Sequence, residues 1–258
     1  MQAPDSLTRE DAAVFVGVVA DMRARRPRVH CITNAVAQNF TANVLLAAGC
    51  VPSMTMSPEE IGAFVARADA LLVNLGTFDR ERRAATMIAV DTARGRVPWV
   101  LDPVFIDRSE ARAAFARELV AQGPAVVRLN HAEFETLSGE APAREALAAY
   151  ARTHKVTVGL SGETDLVTDG TRMVAVTNGH PLMARVTAMG CAVSALVAAC
   201  LAGGGDALHA AAGGLVYAGV AGERAAGQAR GPGGFAANIL DEIYALDAAV
   251  LTAAAKVG

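Results

Sequence analysis

Residues 186–194, Val-Thr-Ala-Met-Gly-Cys-Ala-Val-Ser, run a glycine-containing turn into a long apolar segment with a cysteine at the junction. If the segment is a helix, Cys191 lies in its first turn, where free backbone N–H groups and the positive end of the helix dipole meet. Such a place suits a phosphate. It also favours thiolate over thiol, because a helix N-terminus can draw a cysteine pKa below its ordinary value of about 8.5. A phosphate site and an activatable thiol in one turn point to phosphoryl transfer, with Cys191 taking or orienting a proton. The plainer alternative is a small buried cysteine at the start of a core helix.

Two acids could serve the same chemistry. Asp102-Pro103 ends a short apolar run, and Asn130-His131-Ala132-Glu133 follows the next one. A carboxylate at each place could hold Mg²⁺, directly or through water, since magnesium keeps several waters and needs few protein ligands. Equally, Asp-Pro opens turns and Asn130 can cap the helix that carries Glu133. Arg128 closes an apolar run and could fork onto a nucleotide phosphate, or it could snorkel into water. Ser161-Gly162 could offer a hydroxyl and a close backbone to phosphates, or be an ordinary turn. The five histidines show no ligand spacing, so a metal–histidine centre is not expected. Neither a P-loop nor a Gly-x-Ser-x-Gly elbow occurs.

The elements that must position these groups alternate. Short apolar runs at Val29–Ile32, Val51–Met54, Ala70–Leu75, Trp99–Leu101, Ala125–Leu129 and Val156–Leu160 read as strands. Amphipathic stretches such as Glu81–Ala93 and Ala111–Ala121 lie between them. This order predicts an α/β fold with a mostly parallel central sheet and helices on both faces. Ser57-Pro58-Glu59-Glu60 reads as a helix start with a capping box. Asp165–Thr168, Asp169-Gly170 and Arg172–Val176 read as a hairpin with a type I′ turn. Helices are expected at 190–202, 206–226 and 235–254. Ligands of open α/β sheets gather at the carboxyl ends of strands. That rule nominates Asn34, Met54, Thr55, Asn74, Gly76, Asp102, Arg128, Asn130 and Ser161-Gly162, with the Cys191 turn on the same rim.

Composition bounds the rest. The chain has 258 residues, 53% of them hydrophobic and 19% charged, which suffices for a large core in a single domain spanning 1–258. A net charge of −3 leaves no electrostatic footprint for nucleic acid. Cys31, Cys50, Cys191 and Cys200 form no C-x-x-C pair and fit a reducing cytoplasm. The N-terminal Met-Gln-Ala-Pro-Asp-Ser lacks a signal-peptide pattern. The apolar runs 190–205 and 207–222 fall short of the roughly 18 clean apolar residues of a membrane span.

In sequence the chain resembles the hydroxyethylthiazole kinases. The likeness rests on His30-Cys31-Ile32-Thr33-Asn34 with Phe40-Thr41-Ala42-Asn43, Pro52-Ser53-Met54, Asn74-Leu75-Gly76-Thr77 and Trp99-Val100-Leu101-Asp102-Pro103-Val104. It continues through Arg128-Leu129-Asn130 with Glu133, Ser161-Gly162-Glu163 with Thr168-Asp169-Gly170, Gly190-Cys191, and Gly231-Pro232-Gly233 with Phe235. The resemblance implies a ribokinase-like fold and transfer of the ATP γ-phosphate, with Mg²⁺, to the hydroxyethyl group of 4-methyl-5-(2-hydroxyethyl)thiazole in thiamine biosynthesis. It implies that Met54 binds the thiazole, with Asn34 in a neighbouring motif. It assigns Arg128 and Ser161 to ATP, Asp102 and Glu133 to magnesium, and Gly190-Cys191 to catalysis. Cys191 matches the position where related sugar kinases carry an aspartate base. It also implies a homotrimer with pockets at subunit interfaces. The family usually reads Thr-Gly-x-Gly-Cys where this chain has Thr187-Ala188-Met189-Gly190-Cys191, so Ala188 replaces a glycine whose backbone approaches substrate. A ribokinase-like kinase of another small alcohol, such as hydroxymethylpyrimidine, and a weakly active thiazole- or nucleotide-binding protein are the alternatives.

Overall fold

The computed structural model describes residues 12–258; the stretch read above for a leader lies outside the described residues. Eight strands are β1 (Arg28–Ile32), β2 (Val51–Ser53), β3 (Ala70–Asn74), β4 (Trp99–Asp102), β5 (Val126–Asn130), β6 (Thr157–Ser161), β7 (Asp165–Thr168) and β8 (Met173–Val176). The helices, in chain order, are α1 (Ala12–Arg25), α2 (Gln38–Ala47), α3 (Ile61–Val65), α4 (Arg80–Ala93), α5 (Glu110–Val120), α6 (His131–Ser138), α7 (Arg144–His154), α8 (Met189–Leu201), α9 (Ala207–Gln228), α10 (Pro232–Ala245) and α11 (Ala248–Ala254). The strands form one sheet in the order β2-β1-β3-β4-β5-β6-β7-β8, parallel from β2 to β6 and antiparallel in the β7–β8 hairpin.

The two faces of this sheet bury separate cores. α1, α2 and α8–α11 cover one face, and α3–α7 cover the other. Alternation along each strand decides which face a side chain joins. Ala70 and Leu72 of β3, Val100 of β4 and Val126 of β5 go to the α8 face. Leu71, Val73, Trp99, Leu101 and Val127 go to the opposite one. By the same parity Asn74, Asp102 and Arg128 belong to the α8 face, and His30 belongs to the α3 face. α8 is apolar all round, and every residue from Cys191 to Leu201 is buried, as a central helix must be. Among the described residues no helix is long and apolar enough to cross a membrane.

Four local expectations are corrected. Residues 57–60 form a turn, and α3 starts only at Ile61 with Glu60 at its N-cap position. The Glu60 carboxylate accepts from the Thr55 hydroxyl and so does not close a capping box with Ser57. The expected strand ending at Met54 ends at Ser53. The helix expected over 235–254 is two helices, because Asp247 accepts from Val250 N–H and opens a new one. Finally, the hairpin loop spans 169–172, since Thr168 pairs with Met173. A type I′ turn needs positive φ at both central residues, and of Asp169 and Gly170 only Gly170 has it.

The Asp169 carboxylate holds that loop instead. It accepts from Thr171 N–H at 2.8 Å and Arg172 N–H at 2.7 Å, and Arg172 also reaches Asp206 at the start of α9. Burial alone would push the Asp169 pKa up, but the Arg172 and Thr171 bonds outweigh it and hold it at about 2. A depressed carboxylate contributes stability above its unfolded value of about 3.9, and that stability is lost as pH falls through the folded value. Asp169→Asn is therefore expected to unfold more easily at pH 7 and to lose less further stability between pH 4 and pH 2. Thermal melts across that range would check it; parallel curves for the two proteins would contradict it.

Candidate active site

The spatial order of the strands reverses between β1 and β3, and an open α/β sheet binds its ligands in the crevice beyond such a point. Asn34 follows β1 there, and Asn74 ends β3. Asn34 Nδ2 donates to Asn74 Oδ1 at 3.1 Å and lies 3.4 Å from Cys191 Sγ. Asn74 Nδ2 donates to Asp102 Oδ2 at 2.8 Å and lies 3.3 Å from Cys191 Sγ. One buried amide thus joins the candidate thiol to the candidate metal ligand. The loop after β3 passes so near that a Cβ at Gly76 would sit 2.5 Å from the Asn34 side chain, which requires glycine.

α8 completes the arrangement. Its first turn holds Cys191, and Ser194 lies three residues on, on the same side of the helix. Ser194 Oγ donates to Asp102 Oδ2 at 2.9 Å and accepts from Arg128 Nη1 at 3.3 Å. Arg128 Nη1 also donates to the Gly190 carbonyl at 3.1 Å. Among the described residues, the N–H groups of Gly190 and Cys191 have no backbone acceptor; the first helical bond is Ala192 N–H to the Ala188 carbonyl. Gly190 is exposed. This is the donor pair an anion needs.

Burial reverses the expected ionisation of the cysteine. Cys191 is almost fully enclosed, and burial, reinforced by the nearby charge of Asp102, pushes its thiol up to about 12. The Asn34 and Asn74 bonds and the Arg128 charge oppose this without overcoming it. The helix N-terminus therefore does not supply a ready thiolate, because desolvation outweighs the dipole.

The acids are strained in the same sense. Asp102 is buried and raised, chiefly by desolvation, against Arg128, Asn74 and Ser194. Glu133 is pushed to about 7 by burial and then by the charge of Asp102. Its Oε2 accepts from Asn130 N–H at 2.8 Å and its Oε1 from Phe105 N–H at 3.0 Å, so it closes a capping box with Asn130 and also braces the loop after β4. Among the described residues both donors to Asp102 end on Oδ2. Two hard oxygen donors, one of which is raised by the charge of the other, fit a divalent cation, which would relieve that repulsion. Asp102 Oδ1 receives neither the Asn74 nor the Ser194 bond, whereas each Glu133 oxygen already accepts one backbone N–H. No group of three or more His, Cys, Asp or Glu is placed to hold a metal among the described residues.

A cleft of about 690 Å³ opens beside the α8 start, and Arg128, Ser161, Asp165, Asn178, Met183 and Gly190 help to line it. Ser161 is bonded to the Leu129 carbonyl at 3.2 Å. Gly219 of α9 lets the 177–179 segment approach, since a Cβ there would lie 2.6 Å from Asn178. Asn34, Asn74, Asp102, Arg128, Gly190 and Cys191 are thus brought together. Met54 stands apart: half-buried, packed against the core and one residue beyond β2, with no bond to this network. Two groups escaped the sequence reading. Ser194 was hidden as one residue of an apolar helix, and Asp165, which accepts from Gly162 N–H, as the first residue of a hairpin strand.

Ala188 sits at the α8 N-cap position with φ +67°, a conformation natural to glycine. A left-handed alanine costs about 1 kcal/mol. Ala188→Gly is therefore expected to raise Tm by roughly 2 °C in a chain of this size. Scanning calorimetry would check it, and an unchanged or lower Tm would mean that the methyl group makes compensating contacts.

A parallel sheet with its polar crevice at a strand-order reversal, an anion-ready helix start and a nucleotide-sized cleft define the ribokinase-like α/β phosphotransferases. A ribokinase-like protein of Enterococcus faecalis shares this fold, with a TM-score of 0.65 at 15% identity over 93% of this chain and 91% of that one. The hydroxyethylthiazole kinase family model matches residues 19–249, and the chain belongs to that family. It is 44% identical over 242 residues to the hydroxyethylthiazole kinase of Cronobacter sakazakii, covering 88% of this chain and 91% of the relative. The hydroxyethylthiazole kinase protein of Pyrococcus horikoshii superposes with a TM-score of 0.89 at 36% identity, over 95% of this chain and 98% of that one.

Proposed function

We propose that the chain transfers the γ-phosphate of ATP to the hydroxyethyl group of 4-methyl-5-(2-hydroxyethyl)thiazole, as a single domain in thiamine biosynthesis. The observation that carries this reading is the Asn74 amide bonded to both Asp102 and Cys191, beside the free N–H groups of Gly190 and Cys191. Family membership supplies the substrate class. Phosphoryl transfer asks a protein mainly for positioning and charge stabilisation.

ATP lies in the 690 Å³ cleft, its phosphates toward Arg128, Ser161 and the α8 start. The Gly190 and Cys191 N–H groups stabilise the equatorial oxygens of the migrating phosphoryl group. Asp102 and Glu133 would hold Mg²⁺, which when bound would supply neutralisation of the phosphate charge. The acceptor alcohol enters from the Asn34, Met54 and Ala188 side. Its hydroxyl oxygen forms the new bond to phosphorus as the bond to the β–γ bridging oxygen breaks and ADP leaves. Cys191, held as a thiol, orients that hydroxyl through a sulfur lone pair. The proton leaves as the new bond forms and goes to the transferred phosphoryl group, whose second pKa is near 6.

A homotrimer with pockets between subunits is part of this reading. Val51 of the edge strand β2, Leu46 of α2 and Phe64 of α3 are large hydrophobic residues left exposed. Light scattering would test the assembly. ADP release coupled to a reporter enzyme, with the thiazole alcohol or a pyrimidine alcohol and with or without Mg²⁺, tests the reaction. Faster release with the pyrimidine alcohol would overturn the substrate.

A further inference from the structure

A buried polar side chain on the α3 face has no part in the chemistry above. His30 of β1 is fully buried, yet both ring nitrogens are bonded. Nδ1 lies 2.8 Å from Ser53 Oγ, and Nε2 lies 3.0 Å from the Thr55 carbonyl oxygen. A carbonyl only accepts, so Nε2 carries the proton and the bare Nδ1 accepts from the Ser53 hydroxyl. Burial favours this neutral ring, against the Thr55 carbonyl and the Glu60 charge.

Strand register explains why the ring is needed. The β1–β2 ladder ends with His30 abreast of Ser53. Among the described residues, no backbone–backbone bond outside the strands holds Met54 or Thr55. The imidazole therefore supplies a rung beyond the last backbone one, reaching along the strand past Met54 to Thr55. The far side is secured as well: the Thr55 hydroxyl donates to Glu60, and the Phe64 ring lies 5.9 Å from the imidazole.

We propose that His30 is a positioning residue for the acceptor subsite: its ring brackets Met54 between Ser53 and Thr55 and so sets where Met54 meets the acceptor alcohol. This rests on the reading of Met54 as an acceptor-binding residue. The bracket has two bonds that can be removed separately. His30→Phe keeps a ring and loses both, His30→Gln keeps an amide donor for Thr55, and Ser53→Ala removes only the hydroxyl.

Two measurements on the full chain test the proposal. Hydrogen exchange without substrates reads the bracket itself. His30→Phe is expected to speed exchange across residues 54–56 while the α8 segment is unchanged. Steady-state kinetics with ATP, Mg²⁺ and the thiazole alcohol reads its consequence. In His30→Phe the acceptor KM is expected to rise about tenfold with the ATP KM within about twofold, and His30→Gln is expected to recover most of the loss. If His30→Phe does not fold, Ser53→Ala at its half-buried hydroxyl carries the test, with a rise of about two- to threefold in acceptor KM at constant Tm. Unchanged exchange, an unchanged acceptor KM, or both KM values rising together without recovery by glutamine would each overturn the proposal. A parent protein that ignores the thiazole alcohol would overturn the functional reading instead, while the exchange data would still judge the bracket.

Discussion

Asp102→Asn is expected to lower kcat about a thousandfold while the protein stays folded, the size of effect seen when a preorganised electrostatic contact at the reacting group is lost. The substitution preserves shape. It replaces the carboxylate that accepts from Asn74 and Ser194 with an amide whose NH₂ must face either both of those donors or the side on which Mg²⁺ would bind. It also removes the negative charge set against Arg128, and with it one of the two carboxylates proposed to hold Mg²⁺. The loss should appear in kcat with the ATP KM changed only a few-fold, because Arg128, Ser161 and the α8 start remain. Mg²⁺ titration of the rate would show a weaker dependence than in the parent. Asp102→Asn retaining more than about a tenth of kcat would mean that the carboxylate serves the fold and not the reaction.

The Cys191 series separates orientation from proton transfer. Cys191→Ala is expected to reduce kcat about a hundredfold, the size of effect that a small misplacement of a reacting group can have. Cys191→Ser should lie between, since its hydroxyl can still accept from the acceptor alcohol. Cys191→Asp should retain or raise activity. A carboxylate in this buried place, beside Asp102, is pushed up toward neutrality by the same desolvation and charge that hold the thiol near 12. It would then be a genuine base at working pH. The pH profiles carry the sign. The parent should show no thiol limb between pH 6 and 9, because the group stays protonated throughout. Cys191→Asp should lose activity on the acid side as its carboxylate is protonated. Full kcat in Cys191→Ala would remove the cysteine from the mechanism and leave the Gly190 and Cys191 N–H groups as the anion site alone.

Much of the site could be read before the fold was known, for a definite reason. Strand ends are marked by polar residues closing apolar runs, and alternation assigns each to a face. Asn74, Asp102 and Arg128 share parity with Leu72, Val100 and Val126, so their convergence on one side of the sheet follows from counting along each strand. The Gly190-Cys191 junction marked a helix start, and α8 begins there, at Met189. Local signals at Ser57, Asp169 and Asp247 were less decisive. Each has a side chain that bonds nearby backbone N–H groups, and which element results depends on where the chain goes next; Glu60 bonds Thr55 and closes no box with Ser57.

The amino-acid sequence by itself determined the alternating α/β pattern, the family and the polar groups at the strand ends, because hydrophobic periodicity and chemical type are properties of residues in order. Tertiary structure alone decided the ionisation of Cys191, the role of Ser194 between Arg128 and Asp102, and the His30 bracket around Met54. Those depend on burial and on distances between elements far apart in the chain. A helix start favours a thiolate only where water or cations can share its charge, and α8 packs that sulfur against two amides and a carboxylate.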